Sequence, residues 1–222
     1  MRAEKDKITR RTFLRRTSLA AVGALAAKGC TSGKVTKPTG HSKILSYNAN
    51  MGYRRLGKTG LMISEISLGG HGGFYEEGGV ENRRAVLDRA TELGLNYVDN
   101  NIADECKLYG KAMDSTRRKN WHIGFASWPQ KVTQEYEKEL SKEGMIKSIE
   151  DRLKDYKTDY LDIWRPVGAT WGKGQKNIPT MYMVSHRALD MVTEVFEQVH
   201  RQGKVRWLAI SAHNPKVFRR VL

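Results

Sequence analysis

Hydrophobic and polar residues follow two different periods along this chain, and the pattern predicts strands that alternate with helices. Short alternating or continuous apolar runs bounded by Gly, Pro or Asn are typical of strands, whereas apolar residues three or four apart mark one face of a helix. From residue 53 onward, strand and helix patterns alternate five times. The predicted strands are 64–68, 95–100, 121–127, 160–167 and 205–211, and the predicted helices are 81–94, 103–114, 133–156, 185–201 and one that opens at Asn214 and Pro215.

A glycine-rich turn precedes the first predicted strand. Residues 57–60, GKTG, separate the apolar ends of 53–56 and 61–63, so a hairpin is predicted there. Gly69 and Gly70 end the first strand and would let another group approach the backbone closely. In the helix that follows, Val86, Ala90 and Leu93 share the predicted inner face, and Gly94 is placed to end the helix.

Regular alternation of strand and helix predicts parallel strands joined by helical crossovers, an α/β fold. An eightfold TIM-type barrel needs about 250 residues, and this chain of 222 residues carries about five such units after the hairpin. A barrel that stops there would expose strand edges and apolar faces. Three interpretations follow: a fragment of a longer chain, assembly with another copy, or an open doubly wound sheet. We favour the first.

Composition narrows the possible partners. Hydrophobic residues make up 39% of the chain and the net charge is +15, with a mean hydropathy of −0.59, which is typical of a globular protein. Residues 1–29 contribute +6 (eight basic and two acidic side chains), so +9 remains for the rest. No nucleic-acid-binding motif is present, and we interpret the basic surface as solvated rather than as a nucleic-acid site. Two cysteines cannot form a disulfide framework, and the histidines lack metal-ligand spacing.

The first thirty residues resemble an export signal. TRRTFLR at Thr9–Arg15 matches the twin-arginine pattern, and the apolar run Leu19–Ala27 is shorter than the roughly 20 residues of a membrane span. We therefore predict a signal segment over 1–30, a flexible linker over 31–50 and a barrel-like domain over 51–222. The export machinery is then a partner, and the destination is the periplasm or cell surface. The alternative is a basic amphipathic helix of the mature protein.

Membrane attachment depends on Cys30. Gly29 followed by Cys30 is typical of a lipoprotein cleavage site, whereas Lys28 fits that site poorly because a small residue is expected there. The membrane is a partner only if Cys30 is lipidated.

The residues of the hairpin and first strand, YRRLGKTGLMISEISLGG, resemble the N-terminal signature of the aldo/keto reductases. Further matching anchors are GLNYVD at 94–99, GKAM at 110–113, TDYLDI at 158–163 and the segment from GKVR at 203–206 to Ser211. The ending SAHNPKVFRRVL resembles the bacterial, twin-arginine-exported members most. The resemblance implies a TIM barrel, NADP(H) as cofactor, and hydride transfer between the carbonyl and alcohol forms of a small carbonyl or sugar-like substrate.

The family's catalytic residues are an Asp, a Tyr, a Lys and a His at the strand ends. The resemblance places the Asp at Asp99. The Tyr position is occupied by Asp104, the Lys position by Ser127 and the His position by Val167. Ser211 and Ala212 stand where the family has Ser-Asn for the nicotinamide carboxamide.

Other side chains could serve in their place. Tyr109 is a candidate acid or a packed helix aromatic, and His71 follows the first strand. Gly70 and Ser211 are the candidate cofactor contacts, and no metal site is expected. Two functions remain open: an NADP(H)-dependent reductase with Asp99 in its site, or a non-catalytic exported barrel that binds a ligand or a partner.

Overall fold

Two short strands joined by a glycine turn form the first regular structure in the computed structural model. The structure describes residues 44–70, 79–127, 141–166, 186–211 and 218–219. Strand β1 (Tyr53–Arg55) pairs antiparallel with β2 (Met62–Ser64). Gly57 and Gly60 have φ angles of +52° and +77°, which glycine adopts without strain. The predicted hairpin is therefore confirmed.

Four parallel strands form the main sheet. They are β3 (Tyr97–Asn100), β4 (His122–Ser127), β5 (Leu161–Pro166) and β6 (Val205–Leu208), hydrogen-bonded in that order. The spatial order follows the chain order without reversal, as in one arc of a barrel, whereas a doubly wound sheet reverses at a switch point. The sheet confirms the predicted parallel α/β arrangement over its described strands.

The continuous strand predicted at 64–68 is wrong. Ser64 pairs in the hairpin, and its hydroxyl donates to the Ile66 carbonyl at 2.6 Å, which turns the chain. Only Leu68 then reaches the sheet, as a single parallel bridge to Val98. Its amide donates to the Tyr97 carbonyl at 3.0 Å, and its carbonyl accepts from the Asp99 amide at 3.0 Å. This bridge lies on the β3 edge, where the first strand of a barrel would lie.

Helices follow the strands as predicted. Ser141 caps a helix by accepting a hydrogen bond from the Gly144 amide at 3.0 Å, and Gly94, with φ of +89°, follows the end of another. Residues 133–140 and the start of the helix predicted at Asn214 lie outside the described residues, and 218–219 are helical. The described helices are α1 (Gly79–Glu92), α2 (Ala103–Ala112), α3 (Ser115–Arg118), α4 (Lys142–Tyr156) and α5 (His186–Arg201).

The inner face predicted for α1 is partly wrong. Val86 and Leu93 are exposed, whereas Leu87 and Ala90 are buried as expected of residues three apart. Arg83, four residues before Leu87, is buried as well because it forms an ion pair with Glu105 of α2 at 3.0 Å. A buried charge on the inner face cannot be recognised from hydropathy alone.

The core lies between the helices and one face of the sheet, with Trp121, Trp164 and Tyr156 fully buried.

A buried carboxylate lies at the amino-terminal edge of the strands. Asp162 accepts a hydrogen bond from the Ile123 amide at 2.9 Å and contacts His122. Burial alone would raise the pKa of Asp162, but these hydrogen bonds outweigh burial and lower it. Among the described helices, none has the length and apolarity needed to cross a membrane.

Candidate functional site

The carboxyl ends of the parallel strands carry an ion pair between Asp99 of β3 and Arg165 of β5. Arg165 Nη2 donates to Asp99 Oδ1 at 2.5 Å, and Arg165 Nε donates to Asp99 Oδ2 at 3.2 Å. Arg165 Nη1 also donates to the hydroxyl oxygen of Ser211, just after β6, at 2.5 Å. Such two-point contacts fix a guanidinium in orientation as well as position. In α/β barrels, this edge of the strands is where sites form.

Gly124 makes room for this pair. It lies on β4, between the two strands, and is the register partner of Asp99 on one side and Ile163 on the other. A Cβ at this position would collide with the Tyr97 hydroxyl and would lie 2.6 Å from Asp99 Oδ2. The glycine therefore leaves room for the Tyr97 hydroxyl and the Asp99 carboxylate in the positions they occupy.

Tyr97 shares the carboxylate. Its hydroxyl donates to Asp99 Oδ2 at 2.6 Å. Burial and the adjacent negative charge raise the pKa of Tyr97 well above its ordinary value. Tyr97 therefore orients Asp99 and is poorly suited to release a proton.

Arg165 keeps its charge and part of its donor capacity. Burial opposes the charged form, but the hydrogen bonds and charge of Asp99 outweigh burial and raise the pKa of Arg165. A guanidinium has five N–H donors. Three of them contact Asp99 and Ser211, and two, one on each terminal nitrogen, have no acceptor among the described residues. The Arg165 side chain as a whole is 28% exposed.

The candidate acid Tyr109 lies elsewhere, in a buried polar network. Its hydroxyl donates to the Gly69 carbonyl at 3.0 Å and accepts from Arg83 at 3.0 Å, and its side chain is fully buried. Burial raises the pKa of Tyr109 to about 12. This environment is that of a packed aromatic residue and gives a substrate no access to the hydroxyl.

Gly70 adjoins the same network. A Cβ there would collide with Asn100 Oδ1 and lie 2.9 Å from Glu105 Oε2. Asn100 Nδ2 in turn donates to the Tyr156 hydroxyl at 2.7 Å. Close packing against these polar groups accounts for the glycine at this position, and its predicted cofactor contact stays a prediction.

The positions that the resemblance matched to catalytic residues have other partners. The Ser127 hydroxyl accepts a hydrogen bond from Trp164 Nε1 at 3.0 Å. Asp104 is exposed in the first turn of α2 and pairs with Lys107 at 3.2 Å. His71, Val167 and Ala212 lie outside the described residues. Among the residues that are described, no group of three or more His, Cys, Asp or Glu could hold a metal ion.

Sequence reasoning placed Asp99 and Ser211 at this edge but missed Arg165, Tyr97 and Gly124. A usable signal was present, because alternate residues of a strand share one face. Tyr97 and Asp99 therefore lie on one face of β3, and Arg165 adds a positive charge near the carboxyl end of the mostly apolar strand β5.

Comparison with known proteins gives relatives of which this chain spans about half. No protein-family model matches the chain. A Bacillus subtilis (strain 168) protein named "Uncharacterized oxidoreductase YqkF" is 28% identical over 181 residues, which is 75% of this chain and 50% of the relative. The chain thus spans about half of that protein.

Solved aldo-keto reductases share the fold. The thermostable aldo-keto reductase Tm1743, in complex with the inhibitor epalrestat, is 24% identical with a TM-score of 0.57, over 77% of this chain and 57% of that one. The holo form of aldo-keto reductase AKR11C1 from Bacillus halodurans is 23% identical with a TM-score of 0.55, over 76% of this chain and 53% of that one. Over about half the length of these proteins, the chain therefore has the α/β fold of the aldo-keto reductases.

Proposed function

We propose that this protein is an aldo-keto reductase-like oxidoreductase that transfers hydride between a nicotinamide dinucleotide and a small carbonyl or alcohol. The observation that carries the proposal is the Asp99–Arg165–Ser211 cluster at the carboxyl edge of the parallel strands. It joins the acidic position expected from the family to a partly exposed cation. The likeness to an oxidoreductase and to aldo-keto reductase structures supports it.

The residues at this edge fit a nicotinamide. Ser211 accepts from Arg165 through its oxygen, which leaves its O–H able to donate to a carboxamide oxygen. When bound, the reduced nicotinamide supplies the hydride. Asp99 holds Arg165 in place, and Arg165 and Ser211 hold the ligand's oxygen atoms. We propose NADP(H) in particular, because the +9 charge outside residues 1–29 favours a more anionic dinucleotide.

A non-catalytic binding protein is the second candidate. It is favoured by the environments of Tyr109 and Tyr97, because neither phenol is both accessible and ready to lose a proton. In that case the cluster would bind a ligand without turning it over.

Dinucleotide binding and turnover separate the two candidates. The full chain would be titrated with NADPH and NADH while tryptophan fluorescence is followed, and NADPH oxidation would be measured with a panel of small aldehydes and ketones. Saturable quenching with carbonyl-dependent oxidation supports the reductase. Ligand binding to the cluster without any turnover would favour the binding protein.

We also propose that the chain is exported by the twin-arginine route to the periplasm or cell surface. The motif TRRTFLR supports this. Replacing Arg10 and Arg11 by lysine should retain the protein in the cytoplasm when cells are fractionated, while the unaltered chain leaves it. An unaltered chain that stays in the cytoplasm would contradict the proposal. Mass spectrometry of the exported N-terminus would show whether Cys30 is lipidated.

A further inference from the structure

We propose that Arg165 contacts the substrate directly and stabilises the negative charge that develops on its reacting oxygen. This inference rests on the proposed oxidoreductase function and adds a catalytic residue to it. The cation would then come from β5, since the position matched to the family's lysine, at the end of β4, is Ser127.

The first support is the set of donors that Arg165 leaves unused. Two N–H groups, one on each terminal nitrogen, have no acceptor among the described residues. They belong to a side chain that is 28% exposed, whereas its partner Asp99 is 15% exposed. In the proposed contact, a substrate oxygen accepts from these donors while the ion pair with Asp99 stays in place.

The second support is rigidity. Asp99 holds two nitrogens of the guanidinium and Ser211 holds the third. Donors that are fixed before a charge develops stabilise that charge more than mobile donors, because no reorganisation accompanies the reaction. Asp99 and Ser211 are positioning residues in this scheme, and Arg165 is the catalytic residue.

Other described side chains are less suited to this role. Arg83 is 6% exposed and paired with Glu105. Tyr109 is buried beneath Gly69. The Tyr97 hydroxyl already donates to Asp99.

The chemistry balances with water as the proton source. When hydride reaches the carbonyl carbon, the π pair of the C=O bond moves to the oxygen and gives an alkoxide. The unused N–H groups of Arg165 hold that oxygen. The guanidinium remains protonated, so water delivers the proton and leaves hydroxide. The products are the alcohol and the oxidised dinucleotide.

The test compares Arg165 with an arginine in a similar ion pair outside the site. Arg117 is 27% exposed and contacts Asp88 through Nε and Nη2, each at 2.7 Å. The variants are Arg165→Met, Arg165→Lys and the control Arg117→Met, each in the full chain and checked for folding by circular dichroism. Arg165→Lys retains a charge and serves if Arg165→Met does not fold.

The first readout needs neither cofactor nor turnover. In the ¹H–¹⁵N spectrum of arginine-labelled protein, acetate, whose carboxylate resembles the charged oxygen, should shift one Nε–H resonance saturably. That resonance should be absent from both Arg165 variants and present in Arg117→Met. A titration in which no resonance shifts, or in which the shifted resonance persists in Arg165→Lys, would overturn the inference.

The second readout is kcat with NADPH and an aldehyde. Losing a preorganised donor to a developing oxyanion costs about 100-fold or more in kcat, so both Arg165 variants should fall by that factor and Arg117→Met should not. If Arg165→Met turns over as fast as Arg117→Met, the inference is wrong while the proposed function stands. If the unaltered protein has no dinucleotide-dependent turnover, the proposed function fails, and the acetate titration alone decides whether Arg165 binds an anionic oxygen.

Discussion

Replacing Gly124 by alanine tests how closely β4 approaches the Asp99–Arg165 pair. The new methyl group would collide with the Tyr97 hydroxyl and lie 2.6 Å from Asp99 Oδ2. Neither neighbour is the free end of a flexible chain, because Tyr97 donates to Asp99 and Asp99 is held by Arg165 at two points. The collision can be relieved only by moving Tyr97, Asp99 or the strand itself.

The size of the effect follows from what must move. Inserting a methyl group into a well-packed position costs about 1–3 kcal/mol. If the Tyr97 hydroxyl also leaves Asp99, a hydrogen bond to a charged group is lost, which contributes about 1.5–3 kcal/mol. These costs overlap, because moving Tyr97 relieves part of the collision. We therefore expect Gly124→Ala to lower the free energy of unfolding by about 2–4 kcal/mol.

Urea unfolding followed by tryptophan fluorescence would measure this difference. Gly69→Ala is the matched control, because a Cβ there would meet no atom within 4 Å, and we expect it to be close to neutral. The Arg165 Nε–H resonance should also move in Gly124→Ala and stay in Gly69→Ala. If the two alanine variants unfold at the same urea concentration, the reasoning about β4 is refuted.

Three further predictions concern the buried polar groups. Glu105→Ala should lower the free energy of unfolding in urea by about 3–5 kcal/mol, because it leaves the buried Arg83 without the carboxylate of Glu105. If Glu105→Ala lowers the free energy of unfolding less than Glu105→Gln does, this reasoning is contradicted. Cys106 is fully buried, and burial raises its pKa to about 12. Iodoacetamide at pH 8 should therefore label Cys106 only when the protein is unfolded in urea, and peptide mass spectrometry would detect the label. The folded pKa of Asp162 is lowered, so its contribution to stability is present above the ordinary value of 3.8 and is lost as pH falls through the folded value. Asp162→Asn should therefore unfold at a urea midpoint that falls less steeply below about pH 4. An unchanged steepness would show that the Asp162 carboxylate, with its contacts to His122, the Ile123 amide and Arg206, does not contribute to acid unfolding.

Much of the fold could be predicted because periodicity reports burial directly. The runs at 121–127 and 160–167 are mostly apolar, and both form strands within a residue or so of the expected limits. Periodicity failed where a polar contact decided the structure. The Ser64 hydroxyl turns the chain and ends the first strand early, and Arg83 enters the inner face of α1 because Glu105 neutralises it.

The candidate site was harder to predict because its contacts join distant parts of the chain. Asp99 and Arg165 are 66 residues apart, and hydropathy cannot show which charges face each other across a sheet. The family pattern places Asp99 near the end of its strand, where the structure has it, but puts Ser127 at the position of the family's lysine and so indicates no cation. Ser127 instead accepts a hydrogen bond from Trp164. Only the register of the three strands brings Arg165 to the carboxylate.

That register also explains why the cation is an arginine and why Gly124 lies beneath it. Neighbouring strands are about 4.8 Å apart, so β3 and β5 are separated by about 10 Å. A cation on β4 would lie beside Asp99, but one on β5 must extend across β4 to reach it. The long side chain of Arg165 covers that distance, and its guanidinium still has a nitrogen that donates to the Ser211 hydroxyl oxygen. A Cβ at position 124 would lie 2.6 Å from Asp99 Oδ2, so the glycine keeps room for the carboxylate at the end of that path. The arrangement that pairs the charges also leaves two N–H donors of Arg165 without an acceptor among the described residues, at the carboxyl edge of the sheet, where we propose that a substrate oxygen binds.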